Sequence, residues 1–183
     1  VARAHMQQVT LALRLQGDDT LGGANAAGSA NAVFLLDTSL SEAPERFGID
    51  VALLRAILER SPSIRRFNVV TFDAGARWLA PQWVNNDAAG RTRVLDLLNE
   101  VLLEGATDLS AALDALHSPP MRDAAGSSAD VFVLSDGQIT WGERDLPTLL
   151  RARTSPWSAT RTFAYRTGLG AENTDLLRRV AGA

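Results

Sequence analysis

Two short, uninterrupted apolar runs constrain the fold of this chain more than any other feature. Residues 32–36 (Ala-Val-Phe-Leu-Leu) and 131–134 (Val-Phe-Val-Leu) contain no polar side chain, which is typical of strands that are covered on both faces. Segments with apolar residues at helical spacing lie between such strands. This alternation predicts an α/β, Rossmann-like, doubly wound sheet that is mostly parallel and has helices on both faces.

Two apolar stripes predict helices in the middle of the chain. The first has i, i+3, i+4, i+7, i+8 spacing and is predicted to be a buried helix face that ends before Gly105. It contains Val94, Leu97, Leu98, Val101 and Leu102. The second is predicted to be a buried helix face with Asp108 as its N-cap. It contains Leu109, Ala112, Leu113 and Leu116.

The remaining segments complete the predicted domain. A turn at residues 73–75 follows the predicted strand 67–72, so the segment from Arg77 to Leu79 is expected to return as one antiparallel edge strand. Apolar residues predict a last strand at 162–165 and two further helices. The helices contain Leu146, Leu149 and Leu150, and Leu176, Leu177 and Val180. Residues 1–31 are predicted to form a strand (9–15) and a loop that lead into one domain of residues 32–183.

Composition excludes several classes of function. The 183 residues carry a formal net charge of -3, which argues against nucleic acid or an anionic membrane surface as a partner. The absence of Cys excludes a disulfide, a thiolate metal site and a Cys nucleophile, and two His leave little room for His-based catalysis. No apolar run reaches the roughly 18–20 residues that a membrane span needs.

Three polar clusters carry the chemistry. They are Asp37-x-Ser39-x-Ser41, Thr107-Asp108 and Ser135-Asp136-Gly137. The first and third follow the two buried strands, at the sheet edge where parallel folds bind their ligands. Each cluster alone could be a helix cap or a turn. The candidate ligands among them are two carboxylates and three hydroxyls, without His or Cys, and that donor set suits a hard cation such as Mg²⁺ or Mn²⁺. They are Asp37, Asp136, Ser39, Ser41 and Thr107.

The order of these residues resembles the metal-ion-dependent adhesion site, or MIDAS, of von Willebrand factor A domains. That site has D-x-S-x-S after the first strand, then a distant Thr and a distant Asp. The segments 67–72, 105–109 and 134–137 are similar, more narrowly, to the A domains of inter-alpha-trypsin inhibitor heavy chains and their bacterial relatives. In those proteins the A domain is one module of a longer chain. The same is expected here, with any extracytoplasmic or membrane-associated location supplied by the parent protein.

The resemblance implies a non-catalytic, protein-binding module that uses one Mg²⁺, or Mn²⁺ or Ca²⁺, to hold an Asp or Glu of a protein partner. Ser39 and Ser41 would bind the ion directly and Thr107 directly or through water. Asp37 and Asp136 would hold the waters of the ion and orient the hydroxyls. Mostly neutral ligands leave the positive charge of the ion available to an incoming carboxylate.

The chain departs from the family pattern at two positions. Leu40 replaces the Gly that is common between the two serines, and Glu42 replaces the Met that often follows them. Leu40 could change the loop backbone or place an apolar side chain beside the ion. Glu42 could face the site and repel an acidic partner, although a carboxylate that supports the start of a helix is the favoured interpretation.

Residues beside the clusters have structural interpretations. Trp141 and Glu143 follow the third cluster and are expected near the metal face, where Trp141 could contact a partner. Packing over the sheet edge is the favoured interpretation of Trp141. Packing is also predicted for Trp78, Trp83 and Trp157, and His117 is predicted to cap helix carbonyls.

Two alternatives to a binding module remain open. The chain could be a structural A domain whose site is empty or vestigial. It could also be a metal-dependent phosphotransferase or hydrolase, with Asp37 as nucleophile. The enzyme is disfavoured because an aspartyl phosphotransferase of the haloacid-dehalogenase type needs a carboxylate where Ser39 stands. The elbow of a serine hydrolase and the P-loop of an NTPase are both absent.

Overall fold

The computed structural model describes residues 29–121, 128–145, 147–149, 161–166 and 173–182. Several predictions therefore lie outside the described residues. They are the strand at 9–15, the loop up to residue 28, Leu146, Leu150 and Trp157. Leu149 is described, lies in a short helical segment and is buried.

The sheet is mostly parallel. Strands β1 (Asn31–Asp37), β2 (Arg66–Phe72), β5 (Asp130–Leu134) and β6 (Thr162–Tyr165) pair in parallel in the order β2-β1-β5-β6. Strands β3 (Ala76–Trp78) and β4 (Val84–Asn85) both run antiparallel along the outer edge of β2. The prediction of a mostly parallel sheet with an antiparallel edge at Arg77 is confirmed, and β4 adds a second short segment to that edge.

Helices cover both faces of this sheet. Helices α1 (Ala43–Arg60) and α2 (Ala88–Asn99) pack on one face, and α3 (Leu109–Ala115) and α4 (Thr174–Ala181) pack on the other. Successive side chains of a strand point to opposite faces. Phe34 of β1 therefore enters the core under α1, where its ring lies 4.8 Å from that of Phe132, while Leu35 enters the core under α3. Two buried faces explain why the β1 run is apolar throughout.

The predicted stripe of α2 is only partly buried. Val94 and Leu98 are buried, Leu97 and Val101 are half-buried, and Leu102 is 75% exposed. The prediction was wrong for the last part of the stripe because α2 ends at Asn99 and not at Gly105. The backbone N–H groups of Glu100 and Val101 bond three residues back, which tightens and closes the last turn.

The predicted stripe of α3 is confirmed. All four of its apolar residues are buried in the core, and the side chain of Asp108 caps the helix by accepting from the N–H of Ala111 at 3.1 Å. The last predicted strand and helix are also present as β6 and α4. Within the described part of the chain, no helix is long and apolar enough to cross a membrane.

Candidate metal centre

The parallel register of β1 and β5 brings the first and third clusters together. Leu36 of β1 is aligned with Leu134 of β5, so the next residues, Asp37 and Ser135, stand side by side at the carboxyl edge. The hydroxyl of Ser135 donates to Asp37 Oδ2 at 2.7 Å. Both residues are buried, and Asp37 has no exposed surface. The register of the sheet thus places these two clusters in contact at the expected edge.

The predicted hydroxyl residues form one connected group. The backbone N–H of Ser39 donates to Asp37 Oδ1 at 3.0 Å, which folds the loop after β1 back over the strand end. The Oγ of Ser39 lies 2.9 Å from the Oγ of Ser41 and accepts from the hydroxyl of Thr107 at 2.8 Å. Ser39 and Thr107 are buried and Ser41 is exposed. Ser41 therefore lies on the solvent side of the group.

Backbone bonds hold the distant Thr107 in place. Thr38 O accepts from the N–H of Glu104 at 3.1 Å, which ties the segment after α2 to the loop after β1. On the other side, the N–H of Thr107 donates to the hydroxyl of Thr140 at 2.8 Å, and Thr107 O accepts from the N–H of Trp141 at 3.1 Å. Hydrogen bonds thus join the loop after β1, the segment after α2 and the loop after β5 around the hydroxyls of Ser39, Ser41 and Thr107.

Gly142 allows the loop after β5 to approach α3 closely. Its φ is +71°, and a Cβ at this position would collide with the carboxylate of Asp108, which caps α3. A side chain at residue 142 would therefore separate the loop that carries Trp141 from the segment that carries Thr107.

Asp136 is fully buried at the same edge. Its Oδ1 accepts from the N–H of Gln138 at 2.8 Å, and its carbonyl accepts from the N–H of Asn173, just before α4, at 3.1 Å. Its Oδ2 lies 3.5 Å from Nη1 of Arg46 but has no hydrogen-bond partner. One carboxylate oxygen is fixed by the backbone, and the other has only the ion pair with Arg46.

Glu42 joins this group, although the five predicted metal residues do not include it. It stands at the N-cap of α1 but makes no capping bond with its side chain, which is fully buried. Its Oε1 accepts from the N–H of Asp136 at 3.1 Å, and its Oε2 has no hydrogen-bond partner. One carboxylate oxygen each of Asp37, Glu42 and Asp136 lies within 4.8 Å of the other two. Glu42 faces the site, so the favoured interpretation as a simple helix-start carboxylate was wrong.

Residues 32–138 match the sequence model of the von Willebrand factor type A domain. This stretch is more than half of the chain and contains all five predicted site residues. The chain belongs to this family. No curated protein matches this A domain, and its narrower likeness to the inter-alpha-trypsin inhibitor heavy chains stays a prediction.

Solved structures share the A-domain fold at low sequence identity. The von Willebrand factor type A protein of Catenulispora acidiphila has a TM-score of 0.62 at 17% identity, covering 84% of this chain and 36% of its own. Proximal thread matrix protein 1 of the mussel byssus, with a zinc-occupied MIDAS motif, has a TM-score of 0.64 at 20% identity. The match covers 86% of this chain and 40% of that protein. An aerotolerance-related membrane protein of Bacteroides fragilis has a TM-score of 0.59 at 17% identity, and the match covers 77% of this chain and 69% of that protein. The A domain thus spans well under half of the first two chains.

The carboxylates of the A-domain site repel one another. Burial raises the pKa of Asp37 from 3.8 to about 6, although hydrogen bonds from Ser135 and Ser39 lower it. The pKa of Glu42 is raised from 4.5 to about 8, mainly by burial and also by the negative charges of Asp50 and Asp37. Since buried like charges favour protonation, a cation or protons must offset this charge.

The surface around the site is apolar at several points. Trp141 is 62% exposed and Leu40 is 67% exposed, so the favoured interpretation of Trp141 as a packed residue was wrong. Glu143 lies in the same loop as Trp141 and accepts from the N–H of Asp145 at 2.6 Å. The loop after β5 therefore presents both an aromatic and an acidic side chain near the site.

The structure also describes Trp78, Trp83 and His117, for which the sequence predicted structural roles. Trp78 is half-buried in the core below α3, and its indole N–H donates to Ala115 O at 3.2 Å, as packing requires. Trp83 is half-buried against the same core, which confirms the packing prediction. His117 is exposed just after α3, and its own N–H donates to Asp114 O at 3.0 Å. Capping of helix carbonyls by the His117 side chain stays a prediction.

Proposed function

We propose that this A domain binds one divalent cation at Asp37, Ser39, Ser41, Thr107 and Asp136, and that the ion holds an Asp or Glu of a protein partner. The observation that carries the proposal is the connected group of three hydroxyls backed by buried carboxylates. An all-oxygen set suits Mg²⁺, with Mn²⁺ and Ca²⁺ as further candidates. The zinc-occupied MIDAS motif of the mussel byssus protein supports a metal role for this position of the fold.

The described residues fit a cation. Two buried carboxylate oxygens, Asp136 Oδ2 and Glu42 Oε2, have no hydrogen-bond partner. Buried polar atoms in native proteins are nearly always satisfied, so orphans of this kind call for an ion, a water or a proton. Ser39, Ser41 and Thr107 would supply neutral oxygens to the ion, and Asp37 would orient Ser39 through the N–H bond that already joins them. The bound ion supplies a positive charge to an incoming carboxylate.

The exposed apolar residues favour a protein partner. The large hydrophobic residues that stay exposed in the described part of the chain are Leu40, Leu102 and Trp141. Leu40 lies between the two site serines, the N–H of Trp141 donates to Thr107 O, and Leu102 lies two residues before Glu104, whose N–H donates to Thr38 O. Exposed apolar groups that lie together with a charged centre are typical of interaction surfaces. A partner would then present an acidic side chain flanked by apolar ones.

The environment of Asp37 disfavours catalysis. An aspartyl nucleophile must present a free oxygen to its substrate, whereas both carboxylate oxygens of Asp37 accept hydrogen bonds and the residue is fully buried. We therefore propose a non-catalytic role. Absence of turnover with a generic phosphate ester and Mg²⁺ is the expected result.

The main test is calorimetric titration with Mn²⁺. Wild type should bind one ion per chain, and Asp37→Ala should abolish binding while its thermal unfolding stays cooperative. Asp96→Ala, which removes an exposed carboxylate from α2, is the matched control and should bind like wild type. Equal Mn²⁺ affinity of wild type and Asp37→Ala would refute the site, and a wild type that binds no ion would favour the vestigial alternative.

The partner role has its own test. A labelled peptide with one Asp between leucines should bind the Mn²⁺-loaded domain and be released by a chelator. The same peptide with Asn in place of Asp should not bind. Binding that ignores the chelator would mean that recognition uses another face of the domain.

A further inference from the structure

Glu42 occupies a position in the site that the MIDAS pattern does not assign to a ligand. Its side chain is fully buried, and one carboxylate oxygen lies within 4.8 Å of those of Asp37 and Asp136. We propose that Glu42 is a third carboxylate of the cation site, whose free oxygen Oε2 faces the ion. This inference rests on the proposed cation site and concerns how strongly that site holds its ion.

The two oxygens of Glu42 have different environments. Oε1 accepts from the backbone N–H of Asp136 at 3.1 Å, and this bond fixes the orientation of the carboxylate. Oε2 is buried and has no hydrogen-bond partner. A purely structural role would need only the acceptor at Oε1. The orphan oxygen, on a carboxylate that adjoins two others, is the observation that indicates a ligand.

Within the described part of the chain, no hydrogen-bond donor reaches Oε2 of Glu42. Arg46, one helical turn along α1, reaches Asp136 Oδ2 at 3.5 Å and donates to Ser41 O at 3.4 Å. That guanidinium is partly exposed and leaves Glu42 Oε2 unsatisfied. Asp50, also buried in α1, adds negative charge to the surroundings of Glu42. Buried anions that lie this close together are costly unless a cation is added.

The third carboxylate changes the charge balance of the site. With Asp37 and Asp136 alone, a divalent ion is balanced by two negative charges. With Glu42 it meets three, so the ion is held more firmly and attracts an acidic partner less. Glu42 therefore shifts the site from capture of the partner toward retention of the ion.

The test compares Mn²⁺ affinity between Glu42→Gln and wild type by calorimetry on the full chain. Gln keeps an acceptor for the Asp136 N–H and removes only the charge. We expect Glu42→Gln to lower Mn²⁺ affinity by about 10–100-fold, the usual effect of removing a carboxylate that supports a metal site. Glu45→Gln, an exposed change of the same kind three residues along α1, should change the affinity less than about twofold.

Thermal unfolding without ion provides the second measurement. Because Gln relieves the repulsion, the Tm of ion-free Glu42→Gln should equal or exceed that of wild type, and Mn²⁺ should raise it less than it raises the Tm of wild type. A loss of affinity together with a lowered ion-free Tm would indicate damage to the fold and overturn the proposal.

The outcomes separate this inference from the proposed function. Wild-type Mn²⁺ affinity in Glu42→Gln, with binding still lost in Asp37→Ala, overturns the role of Glu42 and leaves the cation site standing. Weaker Mn²⁺ binding in Glu42→Gln together with chelator-insensitive peptide binding supports the role of Glu42 and contradicts the partner proposal. A wild type that binds no Mn²⁺ overturns both.

Discussion

The buried carboxylates at the two ends of the sheet differ in whether the protein itself satisfies them. At the amino end, Asp130 of β5 is paired with Arg161, whose Nη2 lies 2.6 Å from Asp130 Oδ2. Its Oδ1 accepts from the backbone N–H of Arg161 at 3.3 Å, and Oδ2 also accepts from the N–H of Ser29 at 3.3 Å. Both oxygens of Asp130 are therefore satisfied within the protein.

At the carboxyl end, Asp37, Glu42 and Asp136 lie together, and two of their oxygens have no hydrogen-bond partner. Burying a carboxylate without a partner is costly, and the pairing of Asp130 shows how this fold offsets that cost when no ligand is involved. The difference supports the proposal that a cation from outside the chain binds at the carboxyl end.

The largest effect expected from this contrast is on how the thermal stability of the ion-free domain depends on pH. The pKa of Glu42 is raised from 4.5 to about 8 and that of Asp37 from 3.8 to about 6, mainly by burial. Asp136 completes this cluster, and Asp50 and Arg46 also face it. A group whose pKa is higher in the folded than in the unfolded protein stabilises the fold fully at pH below its unfolded pKa. This stabilisation is lost as the pH rises through its folded pKa.

Without ion, Tm should therefore fall between about pH 4.5 and 8, by roughly 5–10 °C. Differential scanning calorimetry across this range measures the fall. Mn²⁺ should reverse most of it, and the Mn²⁺-induced rise should be greater at pH 8 than at pH 5. An ion-free Tm that rises steadily from pH 5 to 8 would contradict the description of the cluster.

The second prediction applies the same type of substitution to both ends. Asp130→Asn should lower the free energy of unfolding by roughly 1–2 kcal/mol, because it breaks a pair whose Arg161 side chain is 48% exposed. Glu42→Gln should leave the free energy unchanged or raise it. Urea denaturation without divalent ions measures both values. Equal losses of unfolding free energy in the two variants would contradict the contrast. Asp130→Asn should also leave Mn²⁺ affinity unchanged.

The sequence predicts the parts of the fold whose pattern has a single physical cause. The uninterrupted apolar run of β1 reflects burial of both faces, and the end of that run locates Asp37 from the sequence alone. The D-x-S-x-S spacing then places Ser39 and Ser41 by local geometry. Asp136 follows the second apolar run, so its place at the same sheet edge also followed from the strand pattern. Thr107 lies in a loop far away in the chain, and its place beside Ser39 followed from the family pattern.

Sequence-based prediction fails where tertiary contacts override a local pattern. The apolar spacing continues to Leu102, but backbone bonds of Glu104 and Gly105 to the loop after β1 take this segment out of the helix. The orientation of Glu42 is decided by the N–H of Asp136, which donates to its side chain from a distant strand end. Trp141 is exposed because its loop is held by backbone bonds to Thr107. None of these contacts has a signal in the local sequence.

The third prediction concerns the apolar surface at the carboxyl end. Trp141→Ala should weaken binding of the Asp-containing peptide by about 1–2 kcal/mol, the usual effect of truncating an aromatic contact residue. Stability and Mn²⁺ affinity should stay unchanged because the side chain is 62% exposed and the bond to Thr107 O comes from the backbone. Fluorescence anisotropy of the labelled peptide measures the change. Leu79→Ala, next to the antiparallel edge, is the control, and an equal loss there would assign the effect to general destabilisation.

The smallest expected effect separates ion binding from partner binding at Glu42. At saturating Mn²⁺, Glu42→Gln should tighten binding of the Asp-containing peptide by a few tenths to about 1 kcal/mol, because one negative charge beside the incoming carboxylate is removed. The same substitution weakens Mn²⁺ binding, so the two affinities should change in opposite directions. Peptide titrations at two Mn²⁺ concentrations, one near and one far above the Kd of the variant, measure the partner effect free of ion loss. Weaker peptide binding at the higher concentration would mean that Glu42 positions the ion for the partner and does not compete with it.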